Sequence, residues 1–174
     1  MQIHTLSAYE TTAQEFFGKL AEWDADLVLD VRLKNTNQLA GFTKRDDLAY
    51  FVEKIQHADY AHDVLFSPAT TVLERYLRGT MDWEDFFANY HREMVQRDAV
   101  PQFFEKYGRY QSVAIVGTAT QKRRSHVEIL QQMIEDSQAG LPDTALEQVT
   151  ARDEAADAAR EAEKEARRHH RKSA

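Results

Sequence analysis

Two segments of this chain combine residue types that suit the binding of an anion. The first covers residues 30–35 and offers a carboxylate, two cations and an amide directly after an apolar run. The second covers residues 117–126 and contains glycine, hydroxyls, three consecutive bases and a histidine. Cations and the free amides at a helix start suit a phosphate or a carboxylate. The candidate ligand-binding residues are Asp30, Arg32, Lys34, Asn35, Gly117, Thr118, Arg123, Arg124, Ser125 and His126.

Each segment also has an ordinary structural interpretation. The second is not a P-loop, because the paired glycines are missing, and it could be a surface loop with solvated bases. Asp30 could cap a neighbouring loop or act as a site carboxylate. Asp30 and Arg32 are predicted to point to opposite faces of a strand end. His126, near a helix start, favours a structural hydrogen-bonding role over that of a general base, and it is predicted to point away from Ser125.

The composition excludes several classes of site. The chain has 174 residues, a net charge of −7 and no cysteine, which rules out disulfides, thiolate metal sites and a cysteine nucleophile. We expect no cofactor and no metal site, since no histidine pair has the i, i+4 spacing near a suitable carboxylate. The first residues lack the features of a signal peptide, and no apolar run approaches ~18 residues. We therefore expect a cytoplasmic protein without membrane contact.

Strands and helices alternate over residues 1–138, which we interpret as one domain. Two apolar runs, Leu27–Val31 and Val113–Val116, are typical of strands covered on both faces. The pattern predicts an α/β fold with a mostly parallel four-stranded sheet flanked by helices, and ligands then meet the carboxyl ends of the strands. The strands are expected near residues 2–6, 26–31, 60–65 and 112–117. Capping boxes are predicted at Thr12–Glu15 and Thr43–Asp46.

Residues 139–174 form a second, charged and alanine-rich segment. All 18 aromatic residues lie at or before Tyr110, and the last branched aliphatic residue is Val149. The composition favours a helix but supplies no large apolar stripe, so we predict a projecting helical or disordered tail. Residues 151–172 could recruit a protein or nucleic-acid partner, with the basic cluster Arg167–Lys172 contacting phosphates. We expect a cut after Gly140 to leave the melting temperature of the domain nearly unchanged.

Several segments resemble a known family. The stretch Leu29–Leu48, with its Asp-Val-Arg and Gly-Phe-Thr-Lys motifs, is followed by Tyr60–His62, Ser67-Pro68, Tyr76–Gly79 and Asp82–Glu84. Together they resemble the domain of unknown function 488 family over residues 1–137. The resemblance implies a compact α/β domain with no settled biochemical activity.

The departures from that family concern the second loop. Family members usually carry Cys-x-Glu after the last core strand and Cys-His-Arg at the next helix start. Set without gaps, those positions fall on Gly117, Ala119, Ser125, His126 and Val127, so only the histidine remains. The resemblance therefore implies that thiol or metal chemistry at this loop is absent here, while Arg123 and Arg124 could preserve anion binding.

Two functions remain open. The first is a non-catalytic domain that binds a small anionic ligand, a nucleotide or a phosphate ester, at the strand ends. The second is a degenerate scaffold or interaction module that recruits a partner through its tail. A weaker third hypothesis is a hydrolase with His126 as general base.

Overall fold

The centre of the fold is a four-stranded sheet in the order β1-β4-β2-β3, with every neighbouring pair parallel. The computed structural model describes residues 1–36, 41–143, 147, 149–151, 154–155 and 157–164. The prediction of an α/β fold with a mostly parallel sheet flanked by helices is confirmed. The strands are β1 (Gln2–Ser7), β2 (Leu27–Asp30), β3 (Asp59–His62) and β4 (Ser112–Gly117).

Helices cover both faces of this sheet. They are α1 (Ala13–Glu22), α2 (Arg45–Phe51, continued by a π-helical turn at Val52–Gln56), α3 (Thr70–Leu77), α4 (Trp83–Gln96), α5 (Ala99–Tyr107) and α6 (His126–Ala139). One core packs α1 and α2 on one face, and a larger core packs α4, α5 and α6 on the other. The molecule therefore has three layers.

The two central strands show why the apolar runs are continuous. Every residue of β2 and of β4 is buried. Leu27 and Leu29 enter the core with α4–α6, whereas Val28 between them enters the core with α1 and α2. Side chains alternate along a strand, so a strand covered on both sides needs apolar residues at successive positions.

The helix start at Thr12 is confirmed as a capping box. Thr12 Oγ1 accepts the backbone N–H of Glu15 at 3.2 Å, and the Glu15 carboxylate accepts the backbone N–H of Thr12 at 2.9 Å. Both bonds satisfy amides that lack partners within the helix. The helix then buries Phe16 and Leu20 against the sheet.

The second predicted capping box, Thr43–Asp46, is wrong. Thr43 lies in a short 3₁₀ turn at Gly41–Thr43, and α2 begins only at Arg45, with no side-chain cap from Lys44. The Thr43 side chain is buried, and its hydroxyl points to the Ala8 carbonyl at 3.4 Å. Thr43 therefore lies before the helix start rather than at it, and its side chain faces Ala8.

β3 is shorter than predicted, because it ends at His62 rather than near residue 65. The Asp63 carboxylate accepts the backbone N–H of Leu65 at 3.0 Å and starts a 3₁₀ turn at Val64–Phe66. This turn brings the chain toward α3 and buries Phe66.

The start of the tail contacts the domain, whereas its described residues from 150 onward are exposed. The described residues from 147 to 164 are helical, and α6 ends before Gly140, which has a left-handed φ of 63°. Asp143 Oδ2 lies 2.7 Å from Nε2 of His91, a fully buried residue of α4. Val149 is only 4% exposed, in a groove that Trp83 and Phe87 also line. The start of the tail thus packs on α4 and α6, while the cluster Arg167–Lys172 lies outside the described residues.

We therefore expect Val149→Ala to lower the free energy of unfolding by about 1–2 kcal/mol, since it removes two buried methyl groups. The matched control is Thr150→Ala, which changes an exposed β-branched neighbour in the same helix. Chemical denaturation of the full chain measures both. Equal stability of the two variants would contradict packing of the tail on the body and would restore the expectation of an independent appendage.

Candidate functional site

A cavity of about 340 Å³ opens at the carboxyl ends of the parallel strands. Its walls come from the segments that follow β1, β2 and β4, from the first residue of α6 and from one face of α3. This is the position at which ligands bind in parallel α/β sheets. The lining residues are Tyr9, Arg32, Leu33, Lys34, Thr70, Leu73, Glu74, Leu77, Thr118, Arg123 and His126.

A buried ion pair at the end of β2 forms the floor of this region. Arg32 Nε donates to Asp30 Oδ1 at 2.8 Å, and Arg32 Nη2 donates to Asp30 Oδ2 at 2.7 Å. Arg32 is 4% exposed and Asp30 is fully buried. Such a two-bond geometry is the strong form of an arginine–carboxylate pair.

The prediction that Asp30 and Arg32 point to opposite faces is wrong. Residues i and i+2 of an extended chain share a face, because side chains alternate with a period of two. In addition, β2 ends at Asp30, and the backbone N–H of Arg32 turns back to Asp30 Oδ1 at 3.1 Å. Both effects bring the guanidinium onto the carboxylate.

Three further groups complete the environment of this ion pair. Tyr60 donates its hydroxyl to Asp30 Oδ2 at 2.8 Å, and Asn35 donates its amide to the same oxygen at 3.0 Å. Arg32 Nη2 also donates to the Thr43 carbonyl at 2.6 Å. Asn35 thus supports Asp30 from a buried position and does not line the cavity.

The carboxylate stays ionised in this environment. Burial alone would raise the pKa of Asp30, but the hydrogen bonds and charge of Arg32, with those from Asn35 and Tyr60, outweigh it and hold the pKa below its ordinary value. The pKa of Tyr60 is raised, first by burial and then by the charge of Asp30, so its hydroxyl remains a donor.

One edge of the Arg32 guanidinium remains available to a ligand. Nε and Nη2 carry all of its side-chain hydrogen bonds to described residues, which leaves Nη1 without such a partner. Lys34 is exposed at the mouth of the cavity, and Arg123 is half-buried in its wall. Neither Lys34 nor Arg123 pairs with a carboxylate among the described residues.

The loop between β4 and α6 sends its consecutive arginines to different places. The backbones of Thr120 and Arg123 exchange two hydrogen bonds, at 2.8 and 3.2 Å, and this tight turn places Arg123 against the cavity. The Arg124 guanidinium instead lies 4.2 Å from the ring centre of Trp83 and donates to Glu128 at 2.7 Å. Of the predicted ligand residues, the cavity lining therefore includes Arg32, Lys34, Thr118, Arg123 and His126, and it does not include Asp30, Asn35, Gly117, Arg124 and Ser125.

Ser125 and His126 hold the start of α6 in a buried position. Ser125 Oγ accepts the backbone N–H of Thr118 at 3.3 Å and lies 3.4 Å from His126 Nδ1. The expectation that His126 points away from Ser125 is therefore wrong. His126 Nε2 donates to the Val31 carbonyl at 3.2 Å, so both ring nitrogens are engaged within the protein. Burial lowers the pKa of His126 to about 4, which leaves the ring neutral near pH 7.

The Glu128 carboxylate supports the same helix start. It accepts the backbone N–H of Ser125 at 3.2 Å, as in the carboxylate half of a capping box. Sequence reasoning considered Ser125 only as a ligand-binding residue. The spacing Ser-x-x-Glu was the signal that could have revealed its role at the helix start.

Sequence reasoning also missed the contribution of α3. Thr70, Leu73, Glu74 and Leu77 line the cavity with the i, i+3, i+4, i+7 spacing of a single helical face. The Glu93 carboxylate accepts the backbone N–H of Ala69 at 2.8 Å and fixes one end of α3. Tyr76 fixes the other end, since its hydroxyl donates to the Arg124 carbonyl at 3.2 Å.

A family comparison bears on this site. The model for the domain of unknown function DUF488 matches residues 12–134, well over half of the chain. The chain belongs to this family. The family resemblance noted in the sequence is thereby confirmed, and the family's description assigns no activity. No curated protein and no solved structure matches the chain.

In this DUF488 domain, Gly117 occupies a position without room for a side chain. A Cβ atom there would lie 2.6 Å from Val127 Cγ1 and 2.7 Å from Ser125 Oγ. Real Cβ atoms essentially never approach other atoms that closely, so a larger residue would require the side chains of Val127 and Ser125 to shift. The side chains of Val127 and Ser125 thus fill the space that a cysteine side chain at position 117 would need.

Two findings concern the described part of the DUF488 chain as a whole. Within it, no group of three or more histidine, aspartate or glutamate side chains could hold a metal ion. None of its helices is both long enough and apolar enough to cross a membrane.

Asp30→Asn should lower the free energy of unfolding by about 3–5 kcal/mol, because it leaves Arg32 as a buried charge without a counter-ion. Asp46→Asn is the control, since it removes an exposed partner of Arg45 and should have a far smaller effect. Urea denaturation at pH 7 measures both variants. A similar loss of unfolding free energy in the two variants would show that the buried ion pair is not a main source of stability.

The neutral His126 predicts a specific pH dependence. The folded pKa lies below the ordinary value of about 6.5, so the unfolded chain binds the additional proton between pH 6.5 and pH 4. The free energy of unfolding should therefore fall as the pH is lowered through that range, by a few kcal/mol from this residue. His126→Gln should flatten this part of the profile, whereas His57→Gln, at an exposed residue, should not. An unchanged slope in His126→Gln would contradict the assignment.

Proposed function

We propose that this protein binds a small anionic ligand, a nucleotide or a phosphate ester, at the carboxyl ends of β2 and β4, and that it does so without thiol chemistry. The cavity at this edge supports the proposal, because it has the size of a small-molecule site, for which about 300–1,000 Å³ is typical. It also lies where ligands of parallel α/β sheets bind.

The observation that carries the proposal is the positive charge around the cavity, where Lys34 and Arg123 have no described carboxylate partner, whereas the lining carboxylate of Glu74 is paired with Arg78. Arg32 is held rigidly by Asp30, yet its Nη1 makes no hydrogen bond to the described residues. Lys34 and Arg123 approach from two other segments. A preorganised guanidinium with two further cations favours a phosphate, because charge-assisted hydrogen bonds are stronger than neutral ones. The N-terminus of α6 adds the positive end of its dipole.

The geometry of the site supports ligand binding without catalysis better than it supports an enzymatic reaction. The chain has no cysteine. Both nitrogens of His126 are engaged by Val31 and Ser125, and burial keeps the pKa of this histidine near 4, so it is a poor general base near pH 7. Asp30 is held by Arg32, Asn35 and Tyr60, so its oxygens are occupied.

The alternative is a scaffold that recruits a protein or nucleic-acid partner through tail residues 151–172. Its basic cluster, Arg167–Lys172, lies outside the described residues. Val149 packs on the domain, and this contact holds the start of the tail against it. An interaction module could use a tail that is positioned in this way. We rank this alternative second because the cavity and its cations lie among the described residues, whereas the basic cluster does not.

Titration of the full chain with inorganic phosphate, followed by chemical-shift changes, tests the first function. Arg123→Gln and Lys34→Gln should each weaken binding about tenfold, as expected for the loss of a charged contact. Binding should also weaken as salt is added, since Lys34 is exposed. The control is Arg109→Gln, an exposed arginine that precedes β4 at the amino end of the sheet.

The outcomes separate the two functions. Equal weakening by Arg123→Gln and Arg109→Gln would indicate non-specific attraction and would contradict a site in the cavity. A chain cut after Lys164 should bind phosphate as the full chain does. Loss of binding in that truncated chain would favour the tail instead.

A further inference from the structure

The lining of the cavity contains apolar residues as well as cations. Leu73 and Leu77 lie on the cavity face of α3, and Leu33 and Tyr9 extend the apolar surface from the strand ends. α3 has no fully buried residue, and Leu77 is 44% exposed. Both leucines are partly exposed to water, and burying such a side chain is favourable.

A bare phosphate ion would leave these apolar residues uncovered. The cavity volume of about 340 Å³ is much larger than one phosphate group requires. An anion placed at Arg32 and Arg123 would therefore leave room for an attached group next to Leu73 and Leu77.

The position of Glu74 limits the charge of that attached group. Its carboxylate lies on the same α3 face, between the two leucines in sequence, and its partner Arg78 is 3.5 Å away and exposed. A second negative charge at the α3 side would be repelled by Glu74. The cavity thus favours a ligand that is anionic at one end only.

We propose that the ligand is a phosphate monoester with an apolar group, its phosphate held by Arg32, Lys34 and Arg123 and its apolar group covering Leu73 and Leu77. This inference rests on the proposed function and adds the chemical class of the ligand. The apolar group supplies affinity through burial, and the cations supply orientation.

Phenyl phosphate and inorganic phosphate are the probes, and isothermal titration of the full chain at pH 7.5 gives both dissociation constants. Phenyl phosphate should bind at least about tenfold more tightly, because the ring buries apolar surface on α3. Leu77→Gln should bring the two affinities close together, and it should not weaken the binding of inorganic phosphate. The control, Leu141→Gln, changes another exposed leucine, 56% exposed and outside the cavity, and should alter neither.

A third probe tests the role of Glu74. The compound 4-carboxyphenyl phosphate carries a second negative charge at the far end of the ring and should bind several-fold more weakly than phenyl phosphate. Glu74→Gln should remove most of that difference. An unchanged difference in Glu74→Gln would show that the far end of the ligand does not face α3, and would overturn the orientation proposed.

The results distinguish this inference from the function on which it rests. Equal affinity of the unaltered protein for phenyl phosphate and inorganic phosphate would overturn the inference and leave anion binding intact. Absence of binding for both probes would overturn the proposed function as well. Tight binding of phenyl phosphate that neither Leu77→Gln nor Arg123→Gln weakens would place the compound elsewhere and would also overturn the inference.

Discussion

The arrangement of this site depends on one buried ion pair, Asp30 with Arg32, at the end of the central strand β2. Removing two charges from water is costly, and the cost is offset here by a two-bond contact together with hydrogen bonds from Asn35 and Tyr60. Because these partners come from β2, β3 and the segment after β2, the pair ties the carboxyl edge of the sheet together. It also fixes a guanidinium edge toward the cavity.

The loop before α6 serves two surfaces at once. Arg123 lines the cavity, whereas Arg124 stacks on Trp83 in the groove where the tail residue Val149 is buried. Tyr76 of α3 donates to the backbone of that same Arg124. The wall of the cavity, the start of α6 and the docking surface of the tail are therefore joined through a few residues of one loop.

Local sequence was sufficient to predict an element where no contact from a distant segment changed the short-range pattern. The apolar runs in β2 and β4 predicted buried parallel strands, and Thr12–Glu15 predicted a capping box that the structure contains. The equivalent prediction at Thr43 was wrong because Thr43 lies in a 3₁₀ turn, with its buried side chain facing the distant Ala8, and α2 begins only at Arg45. A capping pattern describes what a segment can do alone, and burial by another segment can override it.

For the chain as a whole, the sequence by itself determined the fold class, the family and the two strand-end segments that bring cations to the site, because hydrophobic periodicity and short motifs are local properties. Only the tertiary structure decided which arginine of the consecutive pair faces the cavity, since the turn between Thr120 and Arg123 sets that direction. It alone placed α3 over the strand ends and Val149 against α4, because such packing depends on contacts between residues far apart in sequence.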